Sequence, residues 1–143
     1  FVGPYQPLNI HYAIGNFIKN TVTNIPIKIF GDGSPIRSYM YTSDLIIWLL
    51  TILIKGQKNE FYNVGSEERI TIYNLAKKIV EVGSNKIDII VNNKSNFLNS
   101  ISNYVPSTKK MQNQFKIKQK VNLDLAIEKT LKFVETNKKF YNL

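Results

Sequence analysis

Arg37 is the side chain in this sequence that is best suited to bind an anion. Its guanidinium is planar and always charged, so it can form two parallel hydrogen bonds to a phosphate or a carboxylate. In residues 36–41 the two-residue period of an extended chain places Arg37, Tyr39 and Tyr41 on one side. From local chemistry alone, an exposed cation on a surface hairpin is the preferred interpretation, and a phosphate-binding arginine beside two phenol rings is the alternative.

The residues before Arg37 predict how it is held in place. The run Ile27–Phe30 is rich in β-branched and aromatic residues, and residues 31–35 read Gly-Asp-Gly-Ser-Pro. Such a cluster between two apolar runs indicates a strand, a tight turn and a second strand, with a helix starting near Asp44. We therefore expect a hairpin whose second strand presents Arg37 from a rigid element.

Residues 27–45 also carry a resemblance to a known family. They read Ile-x-Ile-Phe-Gly-Asp-Gly-x-x-x-Arg-x-Tyr-x-Tyr-x-x-Asp-Leu. This pattern resembles the signature in the second half of the NAD-dependent epimerase/dehydratase family, the extended short-chain dehydrogenases that act on sugar nucleotides. Two further stretches, Gly-Pro-Tyr-x-Pro-Leu and Ile-Gly-Asn-Phe-Ile, are similar to its dehydratase-like branch. The resemblance implies a mixed α/β fold in which helices pack with short strands.

The resemblance also implies a substrate, a nucleoside diphosphate-sugar, and a set of residues that bind it. Arg37 would bind the diphosphate with Tyr39 at the pocket wall, and Asn16 would face the same group. The base would lie along Ile27–Phe30 and be recognised partly by main-chain groups of Lys28 and Phe30. No catalytic residue is expected in this chain.

The cofactor-binding half of the family is not expected here. The glycines, at positions 3, 15, 31, 33, 56, 65 and 83, do not form the family's Gly-x-x-Gly-x-x-Gly loop. We also expect its catalytic Tyr-x-x-x-Lys pair to be missing. Because the sequence opens on Phe1 without an initiating Met, we interpret residues 1–143 as one substrate-binding domain of a longer parent that binds NAD or NADP, and as inactive alone.

The second half of the chain departs from the family pattern. The resemblance implies another arginine before the position of Tyr104, but no arginine follows Arg69. Lys94, in the polar loop of residues 92–103, could replace it only as a mobile point charge. These differences leave a non-catalytic remnant that binds a partner protein as an alternative.

Composition limits the other kinds of chemistry. The sequence has no cysteine, which excludes disulfides, Cys-ligated zinc and thiol nucleophiles, and is compatible with a reducing cytoplasm. His11 is the sole histidine. It has no evident orienting partner, so a structural role is expected, and no metal site or catalytic triad can be assembled.

The net charge of +9 suggests a second partner class. Seventeen of the nineteen basic residues are lysine, and nine of these lie in residues 109–143. A solvated helical face is the preferred interpretation, because phosphate-reading surfaces more often use arginine. The alternative is a nucleic-acid-binding module that combines these lysines with Tyr104, Phe115 and Tyr141.

Periodicity and capping residues predict the remaining elements. Helices are expected over residues 11–22, 44–55, 72–82 and 123–140, with Gly56 and Gly83 closing the second and third. Candidate N-caps are Thr42 or Ser43, Thr71, Ser107, and Asn122 or Asp124. Strands are expected at residues 61–66 and 86–91.

The run from Leu45 to Ile54 is the most hydrophobic part of the chain. It is too short for the roughly 20 apolar residues of a membrane span, and it indicates a helix buried on every side. The resemblance implies that this helix and the strand near Phe61 lie close to the cofactor domain. Without that domain, we expect the chain either to form a homodimer through this surface or to be markedly less stable than when the missing amino-terminal half is supplied.

Overall fold

The computed structural model describes residues 1–10, 12–84, 86–92 and 102–143. The helices are α1 (Ala13–Val22), α2 (Thr42–Lys55), α3 (Ile72–Val82), α4 (Lys109–Phe115), α5 (Leu123–Thr136) and α6 (Lys138–Tyr141). The strands are β1 (Ile27–Phe30), β2 (Ile36–Arg37), β3 (Ile70–Thr71) and β4 (Ile89–Asn92). The predicted mixed α/β class, with helices packed on short strands, is confirmed.

The main core lies between α1, α3 and α5 and the sheet formed by β1 and β4. Each of these helices buries one stripe at three- and four-residue spacing, as in Ile14, Phe17 and Ile18 of α1. The inner face of β1 contributes Ile27 and Ile29. This contiguous core therefore holds both the segment that precedes β1 and the segment that follows it. Both segments reach the candidate functional site.

A second, smaller cluster forms where α2 meets α4. Met40, Trp48 and Met111 are fully buried at its centre, and partly buried side chains surround them, including Tyr62 and Phe115. The ring centroids of Tyr62 and Phe115 are 5.2 Å apart. One face of α2 is thus packed within this chain.

Local capping signals predicted several helix ends correctly. The Thr71 hydroxyl accepts a hydrogen bond from Asn74 N at 3.1 Å, and α3 ends before Gly83. Asn122 Oδ1 accepts from Leu125 N at 2.9 Å at the start of α5. The predicted last helix is divided at Asn137, whose amide donates back to the Phe133 carbonyl at 2.8 Å.

The predicted hairpin is wrong. Instead, β1 pairs in parallel with β4 and β2 pairs antiparallel with β3. The turn is tied to the start of α3: Tyr73 N donates to the Gly33 carbonyl and Ile72 N to the Pro35 carbonyl, each at 3.0 Å. Asp32 accepts from Ser34 N at 2.9 Å, closing a local turn. These contacts lead the chain out of one sheet and into the other.

The prediction that the apolar helix is buried on every side is also wrong. Within α2 only Asp44 and Trp48 are buried, whereas Leu53 and Ile54 are 80% and 76% exposed. The N-cap is Tyr41 rather than Thr42 or Ser43. The Asp44 carboxylate accepts from Lys120 N and Val121 N, so it fastens the helix to the segment before α5.

Two smaller predictions fail near α4. Residues 61–66 form no strand, and Phe61 is 89% exposed. The N-cap of α4 is Thr108 and not Ser107. The reason is Glu67, whose carboxylate accepts from both Thr108 N and Thr108 Oγ1, at 2.5 and 3.0 Å.

His11 and Lys94 lie outside the described residues. The expected strand at residues 86–91 is present as β4, beginning at Ile89. Within the described parts of the chain, no helix is both long enough and apolar enough to cross a membrane.

Candidate functional site

A cavity of about 730 Å³ opens beside Arg37. Its wall is formed by the N-terminal segment, the start of α1, and β2 with the two residues that follow it, and it includes Tyr5, Tyr12, Tyr39 and Tyr104. Arg37 is the one charged side chain among the described lining residues. The cavity is therefore a mainly aromatic and apolar space with a single fixed cation in its wall.

The Arg37 guanidinium is held by three hydrogen bonds. Nη1 donates to the carbonyls of Ile36 and Ser102, at 2.8 and 2.9 Å, and Nη2 donates to Ser102 Oγ at 3.2 Å. The main chain around these acceptors is itself fixed, because Ile36 N donates to Ser102 O and Tyr104 N donates to Ile36 O. Arg37 thus has a defined direction before any anion arrives.

Tyr39 lies beside Arg37 and is largely buried against the main core. Burial disfavours the phenolate and raises the pKa of Tyr39 to about 12, although the nearby Arg37 charge partly opposes this shift. The Tyr39 hydroxyl therefore remains protonated at neutral pH. It can donate or accept a hydrogen bond, but it is not suited to act as a base.

The N-terminal wall of the cavity is built by close main-chain approaches. Val2 N donates to Met40 O and Thr42 N donates to Val2 O, both at 3.0 Å. At the start of α1, a Cβ on Gly15 would lie only 2.7 Å from the Pro7 carbonyl oxygen, so only glycine allows this contact. The segment before α1 is consequently held against the residues that follow β2.

Tyr5 has a left-handed backbone, with φ of 61°, which a non-glycine residue seldom adopts. Its ring packs edge-on against Phe133 at 4.8 Å and Phe140 at 5.2 Å between centroids. These contacts from α5 and α6 compensate for the unfavourable backbone and hold Tyr5 at the cavity wall.

The predicted substrate-binding residues are only partly brought together. Arg37 and Tyr39 line the cavity side by side. Asn16 follows the lining residue Gly15, but its side-chain amide donates to the Ile10 carbonyl at 3.0 Å. Lys28 and Phe30 lie on the exposed face of β1, outside the lining residues, and Phe30 is 89% exposed.

Sequence reasoning missed Ser102 and the role of Tyr104 in the cavity wall. Both reach the site because residues 102–104 run alongside Ile36. This pairing joins residues that are far apart in the chain, and no local pattern indicates it.

Among the described residues, the glycine-containing turn after β1 does not fit a dinucleotide cofactor. Gly31 and Gly33 follow the parallel strand β1, but they lead into β2 rather than into a helix whose N-terminus could receive a pyrophosphate. Among the described residues, no group of three or more His, Cys, Asp or Glu side chains is placed to hold a metal ion.

The family's catalytic Tyr-x-x-x-Lys pair was expected to be missing, but the same spacing does occur in the sequence. Tyr73 and Lys77 have this spacing, on α3. Lys77 Nζ lies 4.9 Å from the centroid of the Tyr73 ring, a cation–π contact, and neither residue lines the cavity. The pair is therefore a contact within α3 that follows the lining residue Ile72 but does not itself form part of the cavity wall.

The fold matches part of the folds of solved sugar-nucleotide enzymes. The dTDP-glucose 4,6-dehydratase of Bacillus anthracis, solved in complex with NAD, superposes with a TM-score of 0.82 and 21% identity, over 98% of this chain and 43% of that one. The UDP-glucose 4-epimerase of Thermotoga maritima, solved with UDP-glucose, gives a TM-score of 0.82 at 20% identity, over 94% and 43% of the two chains.

Sequence comparison agrees with the fold. Residues 1–65 match the NAD dependent epimerase/dehydratase family. The chain is 31% identical over 80 residues to UDP-glucuronic acid decarboxylase 1 of Arabidopsis thaliana and 32% identical over 81 residues to human dTDP-D-glucose 4,6-dehydratase. These alignments cover 56% of this chain, but 18% and 22% of the two relatives. The predicted resemblance is confirmed: residues 1–65 match this family, and the relatives to which the chain is similar include a sugar-nucleotide decarboxylase and a sugar-nucleotide dehydratase.

Proposed function

We propose that this chain is the C-terminal, substrate-binding part of an NAD-dependent sugar-nucleotide epimerase or dehydratase, and that its cavity receives a nucleoside diphosphate-sugar. The observation that carries the proposal is the fixed Arg37 guanidinium at the wall of an aromatic cavity, in a chain related to that family. A cavity of this size lies within the usual range for small-molecule sites.

Each part of such a ligand has a matching surface. The diphosphate would lie against Arg37, where a charge-assisted and bidentate contact is strongest. The largely buried Tyr39 would offer its neutral hydroxyl to a phosphate or sugar oxygen. The aromatic and apolar walls would cover the C–H faces of the sugar. We propose that the base lies along the exposed face of β1 and contacts main-chain groups of Lys28 and Phe30.

The chemical step belongs to the longer parent. NAD or NADP, bound by the other half of that parent, supplies hydride transfer. The residues of this chain would bind and orient the substrate. We propose that the uncovered apolar face of α2, together with Phe61, packs against the cofactor-binding half. The cytoplasmic location expected from the cysteine-free composition stays a prediction.

The test is a calorimetric titration of the chain with UDP, dTDP, GDP and their glucose or mannose derivatives. A single-stranded oligonucleotide is titrated in parallel at low and high salt. We expect saturable binding of at least one nucleoside diphosphate. Tight oligonucleotide binding that weakens steeply with salt, without any nucleotide binding, would contradict the proposal and favour a nucleic-acid module.

A variant pair assigns the binding to the cavity. Arg37→Ala removes the charge in the cavity wall, and Lys132→Ala removes one from the exposed surface of α5. Only the first should weaken nucleoside diphosphate binding. Equal losses in both variants would mean that the ligand follows the net charge of the chain rather than the cavity.

A further inference from the structure

We propose that Ser102 is a positioning residue for Arg37 and so contributes to recognition of the diphosphate, an inference that rests on the proposed function. Ser102 is the residue that supplies two of the three acceptors on the guanidinium: its carbonyl accepts from Nη1 and its hydroxyl from Nη2. Ser102 therefore forms hydrogen bonds with the edge of the guanidinium that Nη1 and Nη2 make up.

Counting the guanidinium N–H groups shows which of them remain available to a ligand. The two N–H groups of Nη1 donate to the carbonyls of Ile36 and Ser102, and one N–H group of Nη2 donates to Ser102 Oγ. A guanidinium has five donors. The two that remain without an acceptor among the described residues are Nε–H and the second N–H of Nη2, which form the other edge. A phosphate can take that edge in a bidentate manner.

Arginine otherwise loses considerable rotamer freedom when it binds an anion. A side chain that is already fixed loses less, and affinity rises for that reason. Here the holding groups are well anchored, because the Ser102 carbonyl also accepts from Ile36 N at 2.8 Å. The Ser102 hydroxyl is the part of this arrangement that a substitution can remove without changing the main chain.

The first experiment compares UDP with uridine in Ser102→Ala and in the wild-type chain. Without the hydroxyl, Arg37 is less fixed before the ligand arrives and loses more rotamer freedom on binding, which should weaken UDP binding roughly three- to tenfold. Uridine, which has no phosphate, should bind as before. Ser102→Thr should restore UDP binding because it keeps the hydroxyl. The matched control is Ser107→Ala, an exposed serine that contacts Asn63 through its main-chain carbonyl.

The second experiment repeats Ser102→Ala in an Arg37→Ala background. A positioning residue has nothing to position there, so no further loss of UDP affinity is expected. An equal loss with and without Arg37 would overturn the inference while leaving the proposed function intact. If the wild-type chain fails to bind UDP and the other nucleoside diphosphates, the proposed function fails, and this inference fails with it.

A third measurement needs no ligand. Nitrogen-15 relaxation of the Arg37 Nε–H group reports how ordered the side chain is. Ser102→Ala should lower its order parameter, and Ser107→Ala should not. An Arg37 group that is equally ordered in both variants and in the wild type would overturn the inference independently of nucleotide binding.

Discussion

The two ends of the segment 36–55 differ in how far their side chains find partners within this chain. Around Arg37, the polar groups of β2 find partners within this chain, since Ile36 and Ser102 occupy three of the guanidinium donors. Along α2, the inner face packs on Met40 and Met111, but the outer face ends in exposed Leu53 and Ile54. Most of the Arg37 guanidinium donors thus have partners within this chain, whereas the outer face of α2 leaves apolar side chains exposed.

The largest expected effect comes from covering the outer face of α2. Burial of apolar surface contributes roughly 25 cal/mol per Å², so a patch of a few hundred Å² would contribute several kcal/mol. The isolated chain should therefore self-associate or gain marked thermal stability when the amino-terminal half of the parent is supplied. Sedimentation and thermal melting measure both results.

A matched variant sharpens this prediction. Leu53→Lys with Ile54→Lys adds charge to the outer face, where both side chains are exposed, and should reduce self-association without changing UDP affinity. A wild-type chain that is monomeric and indifferent to the amino-terminal half would contradict this account of α2.

The inner face of α2 should behave in the opposite way to its outer face. Trp48 is 1% exposed and belongs to the same buried cluster as Met40 and Met111. Trp48→Ala should lower the free energy of unfolding by about 3–5 kcal/mol, because it leaves a cavity in a packed cluster. The control Leu53→Ala should cost less than about 0.5 kcal/mol. Urea denaturation measures both, and similar losses would show that the two faces are not distinguished by packing.

A smaller effect is expected for acid stability near α4. Hydrogen bonds from the main chain and side chain of Thr108 lower the pKa of Glu67. A lowered carboxyl pKa stabilises the fold above the pKa of the unfolded chain, and this contribution is lost as the pH falls through the folded value.

Melting temperatures between roughly pH 6 and pH 3 test this contribution. Glu67→Gln should be slightly less stable than the wild type at neutral pH, and the difference should shrink as the pH falls. Glu68→Gln, which changes the neighbouring exposed carboxylate, is the control. A pH-independent difference between Glu67→Gln and the wild type would contradict the ionic origin of the effect.

The sequence predicted best what depends on neighbours along the chain. Thr71 and Asn122 cap their helices because a side-chain oxygen can reach a main-chain N–H three residues on. The hairpin failed because β1 and β2 take partners, β4 and β3, that lie much later in the sequence. The prediction that α2 is buried failed because the hydrophobicity of a helix does not show which of its faces the rest of the chain covers.

The residues of the candidate site likewise differ in whether the sequence could predict them. Arg37 and Tyr39 were predicted together, since both the strand period and the family resemblance point to them. Ser102 was missed because a serine carries no signal of its own until the fold places it against the guanidinium. Sequence therefore identified the arginine of the proposed site and not the serine that holds its guanidinium.

The central claim, that the cavity beside Arg37 binds a nucleoside diphosphate, is tested most directly by calorimetry with UDP and with whichever nucleotide the ligand series favours. A charge-assisted contact is worth roughly 1.5–3 kcal/mol, so Arg37→Ala should weaken binding about tenfold or more. Arg37→Lys should recover only part of the loss, because a lysine is a point charge without the planar fork. Unchanged affinity in both variants would contradict the account.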